Sequence, residues 1–200
     1  MRGGPRSPRL PRWLWPAGLA LLVFCSSVRV VAEDVSVPIS LQMELLLKVA
    51  SYDKNLKQRA RERVRVAVLI RQDDPDSGRS AAQALKALGE ADDVDGMPLD
   101  RLSTTYTDAT VLARFINEGN VAILYVTPGF SEGDIEAMAR ALDGVSVLSA
   151  GALAKYTAQG MVLGFDLAGG KPKLIVNLGS AKRQNVELSS SVLKLVRVIE

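Results

Sequence analysis

Two clusters of aspartates are the groups in this chain best suited to binding a metal ion. Carboxylate oxygens are the ligands that Ca²⁺ and Mg²⁺ prefer. Neither cluster is followed by the downstream Glu of a helix-loop-helix calcium loop. Aspartate is also common in turns, because its carboxylate accepts hydrogen bonds from nearby backbone amides. We therefore interpret both clusters as solvated turns and predict no metal site. Their members are Asp73, Asp74 and Asp76, and Asp92, Asp93 and Asp95.

Ser77-Gly78-Arg79-Ser80 is a turn that can bind an anion through the free amides at the start of a helix. The turn has one glycine and lies beside three acids, and the chain lacks the glycine-rich fingerprints of phosphate-binding loops. Helix capping by the serines is therefore the favoured interpretation.

Serine paired with lysine is the remaining arrangement that can supply a nucleophile and a base. Ser149 with Lys155 and Ser180 with Lys182 have suitable residue types, but neither pair has the spacing of a nucleophile elbow. The chain contains no His, and its single Cys is Cys25. Because His and Cys are the usual bases, nucleophiles and zinc ligands, we predict that the protein is not an enzyme and has no cofactor.

Polar residues near the predicted strand ends are candidates for contacts with a ligand or partner. Loops 73–79, 127–131 and 149–151 are expected at the carboxyl ends of strands, where parallel sheets bind ligands. For Asn177, a hydrogen bond to the backbone of the next turn is the more frequent role. Lys48 either contacts a ligand or packs its aliphatic stem on the core. The candidates are Ser77, Arg79, Thr127, Ser149 and Asn177.

The elements that must position these residues alternate between helix and strand. A stripe from Leu41 to Leu56 predicts a buried first helix with Ser40 as its cap. Ser131 and Asp134 have the spacing of a capping box. This order predicts a single three-layer αβα domain with a mixed, mostly parallel sheet. Strands are predicted at 64–70, 97–102, 121–126 and 145–148, a turn at 73–78, and helices at 81–88, 107–119, 131–142 and 152–159.

The last forty residues predict an antiparallel hairpin and a C-terminal helix. Two apolar runs, 161–165 and 174–176, flank Gly169-Gly170, which can supply the positive φ angles of a tight turn. Pro172 is expected to end that turn. Serines 189–191 offer caps to apolar residues at three- and four-residue steps, which predict one buried helical face. These apolar residues are Val192, Leu195, Val196 and Ile199.

Residues 1–32 have the pattern of a signal peptide. Arginines precede an apolar run at 13–25 that is short for a bilayer, and residues 30–32 offer a cleavage site before Glu33. Lipidation of Cys25 is disfavoured, because a bulky Phe precedes it. The full chain has 25 basic and 22 acidic residues, whereas the predicted mature domain, 33–200, keeps 20 and 22 and has no Cys, His or Trp. Nucleic-acid binding is therefore not predicted.

Both ends of the predicted mature domain resemble the YfiR family. The C-terminal half has the family's order of glycine, strand, turn and strand ending in Asn177, then a basic segment with Lys182 and Arg183, and then serines 189–191. Residues 39–56 resemble the family's N-terminal helix. Some members carry paired cysteines, which this domain lacks.

The resemblance implies a periplasmic, non-catalytic regulator that has no membrane span after cleavage. Such a protein would bind the periplasmic part of an inner-membrane signalling enzyme, such as a diguanylate cyclase, and hold it inactive. A homodimer is possible. The alternative is a periplasmic protein that binds a small molecule for a transporter, because polar loops at strand ends suit that role.

Overall fold

The computed structural model describes residues 37–200 and the isolated Gly4. Apart from Gly4, the predicted signal peptide lies outside the described residues, as do its cleavage site and Cys25. Within residues 37–200, no helix has both the length and the apolar character needed to cross a membrane.

Helices and strands alternate along the described chain, as the sequence predicts. The helices are α1 (Ile39–Ala50), α2 (Leu56–Ala60), α3 (Pro75–Leu88), α4 (Ala109–Gly119), α5 (Glu132–Ala141), α6 (Ala154–Ala158), α7 (Leu178–Arg183) and α8 (Ser190–Leu193). The strands are β1 (Val64–Ile70), β2 (Asp93–Val94), β3 (Met97–Thr105), β4 (Ile123–Val126), β5 (Leu148–Gly151), β6 (Leu163–Ala168), β7 (Lys171–Asn177) and β8 (Arg197–Ile199).

These strands form one sheet in the order β2-β3-β1-β4-β5-β6-β7-β8. The central strands β3, β1, β4, β5 and β6 are parallel. β2 is antiparallel to β3, β7 is antiparallel to β6, and β8 is parallel to β7. Helices pack on both faces, which confirms the predicted three-layer α/β fold with a mixed, mostly parallel sheet.

Side chains of β1 and β4 alternate between two apolar cores. In β1, Val66 and Val68 belong to the core that contains α1 and α3, whereas Ala67 and Leu69 belong to the core that contains α4 and α5. All four side chains are fully buried. Strands that are apolar on both sides are typical of parallel sheets covered by helices on both faces.

A buried polar network fixes α1 against the sheet. The Gln42 amide nitrogen donates to the carbonyls of Val37 at 2.8 Å and Ala152 at 3.2 Å. Its amide oxygen accepts from the Tyr125 hydroxyl at 2.8 Å. Because a buried amide is costly unless it is hydrogen-bonded, these three bonds restrict where α1 can lie over β4 and β5.

A buried ion pair joins the turn after α1 to the segment after α7. The side chains of Asp53 and Arg59 are almost completely buried and bond directly to each other. The Asp53 carboxylate also accepts from the backbone amide of Glu187 at 2.9 Å, and Arg59 donates to the Asn185 carbonyl at 3.2 Å. This pair therefore connects two segments that are far apart in sequence.

Four of the eight helices within residues 37–200 begin with a side-chain cap, and Ser189, although it precedes α8, makes no such bond. Asp74 caps α3, Asp108 caps α4, and Ser131 with Asp134 forms the predicted capping box of α5. The prediction for Ser40 is wrong, because Ser40 lies inside α1. Pro38 precedes that helix and makes no side-chain capping bond.

Several predicted bounds are wrong for local reasons. The first helix ends at Ala50, since the following turn bonds to residues 187–189. α3 begins at Pro75 within the predicted turn, because proline suits the first helical position and Asp74 caps it. β5 begins at Leu148, so the predicted loop 149–151 is strand. Pro172 lies within β7, at a position that β8 does not reach.

The predicted C-terminal helix is confirmed for its first turn and is wrong beyond Leu193. α8 ends at Leu193, and Arg197–Ile199 forms β8 beside β7. Leu195, which was predicted to be buried, is 81% exposed. β-branched residues dominate the end of the segment, and they favour strands. Pairing with the open side of β7 therefore replaces the last turns of the helix. The hairpin itself is confirmed, with Gly169 at φ +59° and Gly170 at φ +74°.

Candidate functional site

The strand order reverses between β1 and β4. The chain passes from β1 to β3 on one side and then crosses to β4 on the other. In open α/β sheets, ligands usually bind at the carboxyl ends of such a pair of strands. The loops after β1 and β4 form this crevice, and they contain two of the three loops that the sequence predicts as a ligand site.

Two predicted contact residues meet inside the crevice. The hydroxyl oxygens of Ser77 and Thr127 are 2.6 Å apart, and both side chains are fully buried. Thr127 donates to the Leu69 carbonyl at 2.7 Å, so Ser77 is the donor to Thr127. Ser77 also accepts from the Arg71 backbone amide at 2.7 Å. These bonds hold the start of α3 against the ends of β1 and β4.

Gly129 closes the crevice further. Its φ is +100°, a conformation that residues with a side chain rarely adopt, and a Cβ at this position would collide with the Asp74 carboxylate. Asp74 is in turn held by the Ser77 backbone amide, which donates to it at 2.8 Å. The crevice between the ends of β1 and β4 is therefore occupied by the chain's own groups.

A charged and aromatic cluster lies at the rim of the crevice. The Arg71 guanidinium donates to the Asp134 carboxylate at 2.5 Å and lies 5.7 Å from the centre of the Phe130 ring. The Tyr106 ring packs edge-on against Phe130, with ring centres 5.4 Å apart. Sequence reasoning missed this cluster, because Arg71 and Asp134 are 63 residues apart in the chain.

The ionisation of this rim follows from its contacts. Burial alone would raise the pKa of Asp134, but the hydrogen bonds from Ser131 and the positive charge of Arg71 lower it by more. Burial and the nearby Asp134 and Asp108 carboxylates raise the pKa of Tyr106. The rim therefore holds an ionised carboxylate and a neutral phenol near neutral pH, an arrangement suited to an ion pair and poorly matched to proton transfer.

An open depression of about 600 Å³ lies beside the rim. The 71–75 loop forms one wall, and Thr105 and Thr107 at the end of β3 form the other. Polar and charged residues, Asp73 and Asp74 among them, line it together with Ile70 and Pro75. This depression lies at the carboxyl ends of β1 and β3.

The other predicted contact residues lie apart from the crevice. Arg79 is exposed on α3 and pairs with Asp76. The buried Ser149 hydroxyl accepts from the Val162 amide at 3.1 Å. Asn177 caps α7 through the Ser180 amide at 2.9 Å, which is the backbone role that the sequence favours for it. The role of these three residues as ligand or partner contacts stays a prediction.

The candidate Ser–Lys pairs combine a buried serine with an exposed lysine. Ser149 and Ser180 are fully buried, whereas Lys155 and Lys182 lie on the surface. The Ser180 hydroxyl accepts from the Arg183 guanidinium at 3.0 Å. Both hydroxyls are thus used in bonds within the fold.

Aspartates of both clusters make turn hydrogen bonds and ion pairs within the fold. Asp93 accepts from the Gly96 amide at 3.0 Å, and Asp95 pairs with Lys57 at 2.8 Å. In the part of the chain that the structure describes, no group of three or more His, Cys, Asp or Glu is placed to hold a metal ion.

The sequence did not predict β8 or the surface around it, which we name the C-terminal edge. It comprises Lys171, Lys173, Leu195, Arg197 and Val198, all exposed. β8 pairs with β7 on one side, and no strand within residues 37–200 pairs with its other side. Asp166 lies opposite Lys173 in the hairpin and 3.7 Å from Arg197. The β-branched Val196, Val198 and Ile199 were the sequence signal for this strand.

The sequence of this domain matches one protein-family model, described as DUF4154, YfiR/HmsC-like, over residues 40–197. The chain belongs to the YfiR/HmsC-like family. The YfiR-like family is periplasmic, regulatory and non-catalytic, and it acts in cyclic-di-GMP signalling with a membrane signalling partner. No curated protein matches the chain.

Two solved structures resemble this YfiR-like domain in fold. A conserved domain protein from Vibrio cholerae O1 biovar El Tor strain N16961 aligns with a TM-score of 0.59 and 13% identity, over 84% of this chain and 61% of its own. A substrate-binding protein with adhesive properties from Clostridium difficile, in its ligand-free open form, aligns with a TM-score of 0.51 and 14% identity. The alignment covers 74% of this chain and 58% of that protein. The YfiR-like chain thus spans less than two thirds of either protein, and the likeness concerns the fold alone.

Proposed function

We propose that this YfiR-like protein binds the periplasmic part of an inner-membrane diguanylate cyclase and holds that enzyme inactive. The family match over residues 40–197 carries the proposal, since the family acts in cyclic-di-GMP signalling. A partner shifts an equilibrium between two states only by binding one of them more tightly. The protein therefore binds the inactive state of the cyclase better than the active state. Signal-peptide cleavage before Glu33 would deliver the domain to the periplasm.

The C-terminal edge supports a contact with a protein partner. An open strand edge offers unpaired backbone groups that can pair with a strand from another chain. Leu195 is 81% exposed and Val198 is 39% exposed, so burial of both side chains would favour association. Its three basic side chains, Lys171, Lys173 and Arg197, outnumber the neighbouring acids Asp166 and Glu200, and an acidic partner segment would therefore fit it best.

Deletion of the gene tests the function. We expect cellular cyclic-di-GMP and surface attachment to rise, because the cyclase loses its repressor. Complementation with the Val111→Asp variant should restore the lower level, whereas Val198→Asp should not. Val111 is exposed on α4 and serves as the matched control. Unchanged cyclic-di-GMP after deletion, under conditions where the protein is made, would contradict repression.

Small-molecule binding is a second candidate function, favoured by the open depression at the 71–75 loop. It predicts a soluble ligand that perturbs the amide resonances of Thr105 and Thr107. Tight binding of such a ligand, together with no capture of a membrane cyclase, would favour this second function over repression.

A further inference from the structure

A groove runs along the outer side of α1, away from the C-terminal edge. One wall is the exposed side of α1 between Ser40 and Ser51, and the other is the end of α3 with the turn to β2 and β2 itself. The groove has a volume of about 750 Å³. α1 is 12 residues long, or about 18 Å, so the groove has the length of a helix of three turns.

The floor of this groove is apolar and only partly covered. From α1, Leu41, Leu45 and Leu47 line it and remain half-buried. Ala87 and Ala91 line the facing wall and are also half-buried. Small side chains on one wall and leucines on the other leave room for apolar side chains of a partner.

The rim of the groove is acidic. Glu44, Glu90, Asp93 and Asp95 are all exposed along it, and Lys48 is the one basic residue among the groove's lining residues. Asp95 pairs with Lys57, which partly offsets its charge. Within residues 37–200, neither Glu44 nor Glu90 lies within ion-pairing distance of a basic side chain, so both carboxylates are available to a partner.

We propose that this groove binds an amphipathic helix of a protein partner that carries basic side chains beside its apolar face. An apolar groove accepts such a helix through residues at i, i+3, i+4 and i+7. The four rim carboxylates favour lysine and arginine at the flanks of that face. A second copy of this chain is disfavoured as the occupant, because two acidic rims would then face each other. Anionic lipid is disfavoured for the same reason.

This groove is a second contact surface and does not depend on the proposed repression. Val94 of β2 lines the groove, and β2 and β8 are the two outermost strands of the sheet. Seven strand spacings separate them, which is a distance of roughly 33 Å. A helix in the groove would therefore leave the C-terminal edge free. The protein can hold two partner segments at once, one basic and one acidic.

Two synthetic peptides test the proposal directly on the purified protein. Both are 14-residue helices with leucines at i, i+3, i+4 and i+7. One has lysines at the flanking positions, and its twin has glutamates there. We expect the lysine peptide to bind at least tenfold more tightly, with an affinity that falls as salt rises. Its binding should perturb the amide resonances of Leu41, Leu45 and Ala91.

A pair of charge-reversal variants serves as the control. The double variant Glu44→Lys/Glu90→Lys should weaken binding of the lysine peptide about tenfold. The double variant Glu62→Lys/Glu118→Lys has the same change in net charge at exposed sites outside the groove, and it should change the affinity less than twofold. Equal binding of the two peptides, perturbed resonances outside the groove, or equal effects of the two double variants would overturn the proposal. So would a dimer in sedimentation that protects the groove amides, or binding of anionic phosphatidylglycerol vesicles through the groove.

Discussion

Gly129 lets the loop after β4 pack against Asp74 at the crevice between β1 and β4. Gly129→Ala should destabilise the fold by about 2 kcal/mol, because alanine is strained at φ +100° and its Cβ would displace the Asp74 carboxylate. Gly133→Ala is the matched control. A Cβ at Gly133 meets nothing within 4 Å on α5, so we expect a gain of about 0.5–1 kcal/mol. Equal urea midpoints for the two variants would contradict this account of Gly129.

Asp134 should make stability depend on pH in the acid range. Its pKa is lowered in the folded protein, so its contribution is fully present above the unfolded value of about 3.9 and is lost as pH falls through the folded value. The wild type should exceed Asp134→Asn by up to about 1 kcal/mol at pH 6, a limit set by the partial exposure of its ion pair with Arg71. Urea denaturation from pH 6 to pH 2 measures the difference. A gap that stays constant over this range would show that the charge of Asp134 contributes nothing.

Residue types alone indicated part of this site. Ser131 and Asp134 are three positions apart, so their capping box was predictable from the sequence. The Arg71–Asp134 pair and the meeting of Ser77 with Thr127 were not. They depend on β1 and β4 becoming neighbours after the chain has passed through β3 and α4. No local pattern carries that information.

At the scale of elements, the buried Asp53–Arg59 pair connects the turn after α1 with the segment after α7. Asp53→Ala should cost about 3–5 kcal/mol, because it leaves the Arg59 guanidinium buried without its counter-ion. Lys54→Ala is the control, since its pair with Glu187 joins the same two segments but is 59% exposed on both sides. We expect that variant to lose less than about 1 kcal/mol. Similar losses for both variants in chemical denaturation would contradict the importance of the buried pair.

The elements themselves were predictable to different degrees. β1 is apolar on both sides and bounded by charged residues, and its predicted span matches the observed one. The hairpin was predictable because Gly169 and Gly170 fall between two apolar runs. β8 was not, since Val192, Leu195, Val196 and Ile199 have helical spacing. The segment forms a strand because it pairs with the side of β7 that β6 leaves free, and that side exists only in the folded sheet.

At the scale of the whole molecule, the sheet presents different surfaces at its two ends. The α1 groove adjoins β2, and the C-terminal edge includes β8. The groove is rimmed by carboxylates, whereas the C-terminal edge is mainly basic. We therefore expect the two proposed contact surfaces to select partner segments of opposite charge.

The decisive measurement of repression is cyclase activity in the presence of the purified protein. Inner-membrane diguanylate cyclases of the same organism that have a periplasmic domain would be placed in lipid nanodiscs, where both faces are accessible, and cyclic-di-GMP formation would be measured as the protein is added. We expect saturable inhibition of one cyclase by the wild type and by Val111→Asp, and at least tenfold weaker inhibition by Val198→Asp. Unchanged activity of every such cyclase at saturating wild-type protein would contradict repression.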